Sequence, residues 1–116
     1  MNFTYKSEEI EKAVLFYLKG NLLDKDSALP LLDEVDKFIE REKNKFIVDL
    51  AEMNTLNSSG INVLITLFTK ARNSGGDAII INVPNKINNL LVITKLNTIF
   101  TIKEDKKAAL DELAEV

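Results

Sequence analysis

The stretch Phe46-Ile47-Val48-Asp49-Leu50-Ala51-Glu52-Met53-Asn54-Thr55-Leu56-Asn57-Ser58-Ser59-Gly60-Ile61-Asn62-Val63-Leu64 decides how the chain is read. Residues 46–50 are a short buried-strand pattern. Residues 51–57 read as a polar loop. Asn57, Ser58 and Ser59 are residues whose side-chain oxygens cap helices, and they stand directly before an apolar-periodic run. In that run Ile61, Leu64, Ile65, Phe68 and Ala71 recur on one helical face, with Val63 and Leu67 beside it. Strand, loop and helix in that order are one unit of an α/β fold.

Working outward from this unit, similar units appear on both sides. Residues 73–76, Asn-Ser-Gly-Gly, stop the helix, because glycine accepts the left-handed conformation found after helix ends. Residues 78–83 form the most strand-like segment of the chain. Pro84 opens a further helix with Ile87, Leu90, Leu91 and Thr94 on one side. Residues 99–102 predict a last short strand, and residues 103–116 a final helix carrying Ala109, Leu110 and Leu113. On the other side, Phe3 and Tyr5 alternate with polar neighbours as in a short edge strand. Ser7-Glu8-Glu9 reads as a turn, and residues 13–18 as a strand covered on both faces. Residues 21–27 are a polar loop, in which Ser27 suits a helix cap and Pro30 the first helical turn. Ala28, Leu31, Leu32, Val35, Phe38 and Ile39 follow at helical spacing, and charged residues 40–45 end the segment.

The expected order is β-β-α-β-α-β-α-β-α. It predicts a single mixed, mostly parallel sheet with an N-terminal hairpin and four helices. The 116 residues, 46% hydrophobic and 28% charged, suit one globular domain over residues 1–116. No linker, repeat or low-complexity segment divides it.

Composition removes several functions. The formal net charge is −3, with 15 basic residues interspersed among 18 acidic ones, whereas a nucleic-acid binder needs a concentrated basic surface. Without cysteine or histidine there is no thiolate nucleophile, no cysteine–zinc site and no imidazole base. No phosphate-binding glycine loop and no paired nucleophile and base are visible, so neither an enzyme nor a cofactor is expected. Asp49 and Glu52, with Asp24, lack the spacing of a cation site, and no metal is expected. The polar first nine residues do not form a signal peptide, and no apolar run reaches the ~18–20 residues that span a bilayer. Direct membrane insertion is therefore not expected, and a cytoplasmic location is.

The quoted stretch resembles the STAS domain (sulfate transporter and anti-sigma factor antagonist). The family pattern is a hydrophobic strand, a short loop, and Asp-Ser-Ser-Gly opening an amphipathic helix. Leu18-Lys19-Gly20-Asn21-Leu22 is similar to the family's glycine turn after its second strand. Gly75-Gly76 matches the glycine pair before its fourth strand, and residues 96–102 with 104–113 match its closing strand and helix. The resemblance implies an anti-sigma factor antagonist that binds an anti-sigma factor of GHKL-type kinase fold. That kinase would phosphorylate Ser58, or alternatively Ser59, and a metal-dependent serine phosphatase would reset the switch. The implied contact surface comprises Asp24, Asn57, Ser58, Ser59, Gly60 and Ile61, strengthened by exposure of Met53 and Leu56. One residue departs from the pattern: Asn57 stands where the family has an acid. It keeps the cap and loses the charge. That departure leaves open a constitutive, unphosphorylated subunit of a transport or sensory complex. Read without the family, the serine pair is a helix cap, and Asp24 and Asp26 are loop and capping residues.

Overall fold

Apolar residues alternate in pairs of faces along five short segments and recur every three to four positions along four others. The computed structural model, which describes residues 2–10 and 12–114, turns the first kind into strands and the second into helices. The order is β1 (Thr4–Ile10), β2 (Ala13–Leu22), α1 (Leu29–Glu40), β3 (Lys45–Leu56), α2 (Ser58–Asn73), β4 (Asp77–Ile81), α3 (Asn85–Ile93), β5 (Ile102–Lys103) and α4 (Lys106–Leu113). The strands lie side by side in chain order, β1-β2-β3-β4-β5. β1 and β2 form the antiparallel hairpin, and every other pairing is parallel. The predicted mixed sheet with four helices is the fold observed.

The sheet buries its two faces under unequal cover. Val14, Phe16, Leu18, Phe46, Val48, Leu50, Ala78 and Ile80 belong to the large core shared with Leu31, Val35 and Phe38 of α1, Leu64, Leu67 and Phe68 of α2, and Ile87 and Leu91 of α3. Ala13, Leu15, Ile47, Ile79 and Ile81 pack instead with Ala109 and Leu113 of α4. Residues 13–16 are therefore apolar without interruption, because both faces of β2 are covered there. Beyond the reach of α4 the second face opens to solvent, and Tyr17 there donates its hydroxyl proton to Glu8 at 3.1 Å.

Five local expectations are corrected. Ser7, Glu8 and Glu9 are not a turn: they pair with Phe16, Leu15 and Val14, so the reversal lies between Ile10 and Ala13. The pairing partners of β2 outweigh the turn-forming tendency of the serine. The loop expected at 51–57 is strand as far as Leu56, and Asn21 and Leu22 are strand as well. Register shifts at Tyr17/Lys19 and Gly20/Asn21 let Gly20, Asn21 and Leu22 pair with Met53, Thr55 and Leu56, and this burial of Met53 and Leu56 extends the strand. The last strand is only Ile102–Lys103; Leu96–Thr98 is a single 3-10 turn, and Phe100 turns inward, edge-on to Phe68 at 4.9 Å between ring centres. Pro84 is the residue before α3, not its first helical residue. The final helix begins at Lys106 rather than 103, after the Asp105 cap, and of its expected end residues 115 and 116 lie outside the described residues. The expected stop after α2 is present, with Gly75 at φ 88° and its N–H donating to the Arg72 carbonyl at 3.0 Å.

Candidate functional site at the junction of β3 and α2

β3 ends at Leu56 with one residue of extended backbone before the helix. That residue, Asn57, has φ −113° and ψ −167°. Its Oδ1 accepts the Gly60 N–H at 3.0 Å, and its carbonyl accepts the Ile61 N–H at 2.9 Å. Its Nδ2 donates to the Leu23 carbonyl at 2.9 Å, and its backbone N–H donates to the Leu22 carbonyl at 3.4 Å. One residue thus ends the strand, caps the helix and holds the end of β2.

Ser58 and Ser59 occupy the first two helical positions and are exposed. Backbone N–H groups at these positions have no acceptor within the helix, and the helix dipole places partial positive charge there. Among the described residues neither serine hydroxyl has a hydrogen-bond partner. Ser58 is therefore an accessible hydroxyl in a setting that favours an anion.

Gly60 is buried at the third position. A Cβ there would collide with the Leu22 carbonyl oxygen and come within 2.9 Å of the Leu56 Cβ. The first turn of α2 closes on the strand ends because this residue has no side chain. Ile61, Met53 and Leu56 are also buried. This corrects the expectation that Met53, Leu56 and Ile61 are exposed: they support the junction from beneath, with Gly60 buried beside them.

The neighbouring surface comes from the segment between β2 and α1. Leu23 and Leu29 are 46% and 43% exposed. Sequence reasoning missed both, although Leu29 falls outside the Ala28, Leu31, Leu32 and Val35 stripe and that phase is a readable signal. Asp24 is exposed, and its Oδ1 accepts the Ser27 hydroxyl at 2.6 Å and the Ser27 N–H at 2.8 Å. These bonds, the hydroxyl first, hold the Asp24 carboxyl below its ordinary pKa. Ser27 is thereby used, and it does not cap α1; the cap position is Ala28, the last residue of a 3-10 turn at Asp26–Ala28, with no side-chain bond. Lys25, Leu32, Ser59, Asn62, Val63 and Thr66 line a groove of about 320 Å³ between this segment, α1 and α2.

The remaining candidates lie elsewhere. Asp49 accepts the Ala51 N–H and the Asn82 amide, and Glu52 lies 3.8 Å from Lys19, both away from Asp24. Among the described residues no three acidic side chains converge on a cation position. Lys70 and Arg72 are not simply solvated: they pair with Asp36 at 2.9 Å and Asp77 at 3.1 Å. Asn85, Asn88 and Asn89 are exposed on α3.

The family model of the STAS domain matches residues 4–109. Solved structures share the fold. A candidate anti-sigma factor antagonist of Thermotoga maritima aligns with a TM-score of 0.83 at 19% identity, over 95% of this chain and 94% of that one. An anti-sigma factor antagonist from Mycobacterium paratuberculosis aligns at 0.78 with 16% identity, over 97% and 95%. The Bacillus cell fate determinant SpoIIAA in its phosphorylated form aligns at 0.71 with 14% identity, over 94% and 98%.

Proposed function

The chain belongs to the STAS domain family, and we propose that within it this protein is a non-enzymatic regulatory module, an anti-sigma factor antagonist switched by phosphorylation of Ser58. The observation that carries the proposal is the exposed Ser58 hydroxyl, without a partner among the described residues, at the first position of a capped helix. A phosphate there adds about −1.5 to −2 charges beside unpaired N–H groups. It needs no change of fold, yet it alters the charge of the surface that a partner covers.

The partner of this reading is an anti-sigma factor of GHKL-type kinase fold, which phosphorylates the serine it docks on. Ser59 is the alternative acceptor. A metal-dependent serine phosphatase restores the free hydroxyl. Docking centres on Asp24, Asn57, Ser58, Ser59, Gly60 and Ile61, with Leu23 and Leu29 adding exposed apolar area beside them. No helix of the described residues is long and apolar enough to cross a membrane. The proposed switch acts in the cytoplasm, where its kinase would find its nucleotide.

Phosphopeptide mass spectrometry on protein from its source cells, with and without stress, tests the proposal. A condition-dependent phosphate at Ser58 is the expected result. Full coverage of the peptide with no phosphate at Ser58 or Ser59 rejects it. In binding assays with a kinase encoded beside it, Ser58→Glu weakens the complex and Ser58→Ala preserves it.

Asn57 favours a second reading. Its amide replaces the acid of the family pattern and is spent on structural bonds. A constitutive subunit of a transport or sensory complex needs no charge there. A large native complex whose size is insensitive to ATP is the outcome that separates this reading from the switch.

A further inference from the structure

We infer that Asn57 is a positioning residue, a neutral latch that holds residues 23–28 against the start of α2, so that Leu23, Asp24 and Ser58 form one preset surface. Only the use of that surface rests on the proposed switch; the latch rests on hydrogen-bond chemistry alone.

The two ends of the Asn57 amide do different work. The Gly60 N–H is a donor and demands an oxygen; the Leu23 carbonyl is an acceptor and demands an N–H. The amide orientation is therefore set by its partners. The contact with Leu23 spans 34 positions of sequence. The neighbouring Leu22 carbonyl faces the Asn57 N–H and the bare Cα of Gly60. Two successive carbonyls at the end of β2 are thus held by one residue. The other bonds of this segment are local: Asp24 to Ser27, and the Ala28 N–H to the Lys25 carbonyl at 2.9 Å. They shape the turn without attaching it to α2. A carboxylate in place of the amide keeps the cap, since it accepts from Gly60. Its second oxygen meets the Leu23 carbonyl with no proton between them, and the attachment is lost.

The test is amide hydrogen exchange of the full chain, free of partner, in Asn57→Asp and Asn57→Ser. Both keep an oxygen for the Gly60 N–H, and neither extends an N–H to Leu23. The Ser27 and Ala28 amides are expected to exchange roughly five- to tenfold faster in both variants, with Gly60 and Ile61 changed by less than about twofold. If Asn57 only capped the helix, both variants would leave Gly60, Ile61 and the segment alike unchanged, since both keep the cap. Unchanged exchange at Ser27 and Ala28, faster exchange in the Asp variant only, or an equal rise throughout the protein each overturns the latch. Because no partner or phosphate enters, a chain that is never phosphorylated sinks the proposed switch and leaves this result standing.

Discussion

Helices α2 and α4 begin with the same local device. Asn57 accepts the N–H of Gly60 at 3.0 Å and Asp105 accepts that of Ala108 at 2.9 Å, each from an extended residue three positions earlier. At α4 the device is local and acidic. The carboxylate suits the positive end of the dipole, and the helix it starts covers part of one sheet face through Ala109 and Leu113. At α2 the cap is neutral, its other end is bonded to Leu23, and a buried glycine brings the turn against β2. The comparison separates a cap that only starts a helix from one that also joins distant segments and brings no charge to a first turn that holds no acidic residue.

The largest expected effect is at Gly60. An alanine within an ordinary helix is more favourable than glycine by about 1 kcal/mol. Here Gly60→Ala forces the Leu22 carbonyl away, and urea denaturation should show a loss of about 1–3 kcal/mol. A gain would mean that the close approach of α2 to β2 is not needed. Next comes the pair of caps. Asp105→Ala should cost about 1 kcal/mol, the ordinary worth of a cap. Asn57→Ala should cost about 2 kcal/mol, since it also leaves the Leu23 carbonyl without its donor. Equal losses would erase the distinction between local and joining caps.

A smaller effect tests the charge difference. Ser58→Glu should raise stability by about 0.3–1 kcal/mol at low salt, fading as salt is added. The gain should shrink when combined with Asn57→Asp, which already supplies a charge. Thermal melts at two ionic strengths measure both, and an unchanged gain in the double variant would show that the cap's charge does not matter. The smallest effect is at Asp24. Its folded pKa lies below its unfolded value, so its contribution is present above the unfolded pKa and is lost as pH falls through the folded one. NMR titration of its carboxyl carbon should show the depressed midpoint, and Ser27→Ala should return it toward normal. No movement would mean that the Ser27 bonds do not hold the turn.

The start of α2 was legible because capping residues, a small residue and an apolar stripe follow one another within a few positions. Its end was legible at Gly75 for the same reason. What escaped were features whose cause is remote in sequence. Asn54 to Leu56 carry loop-like residues, and they become strand only because Asn21 and Leu22 pair with them across two register shifts. The bond from Asn57 to Leu23 has no local trace. Ser27 looked like a cap since caps are local, but Asp24, three residues earlier, takes its hydroxyl and N–H first. Exposure of Leu23 could not be told from burial of Leu22, because adjacent leucines look alike until the strand face is known. The burial of Met53 followed from those same unseen pairings, whereas that of Ile61 was already written in the apolar face of α2.

The order of the strands in the sheet is the order of the strands in the chain. Each pairing therefore closes a loop no longer than one turn or one crossover helix, and none waits for a distant strand to be threaded between two others. During synthesis the sheet can grow from one side, each emerging strand docking on an edge already formed, with β3 and the start of α2 in place before β4 is made. Ribosome-stalled chains of increasing length, probed by limited proteolysis, should gain protection in steps along the chain; one late, all-at-once step would show that the sheet does not assemble from its N-terminal edge.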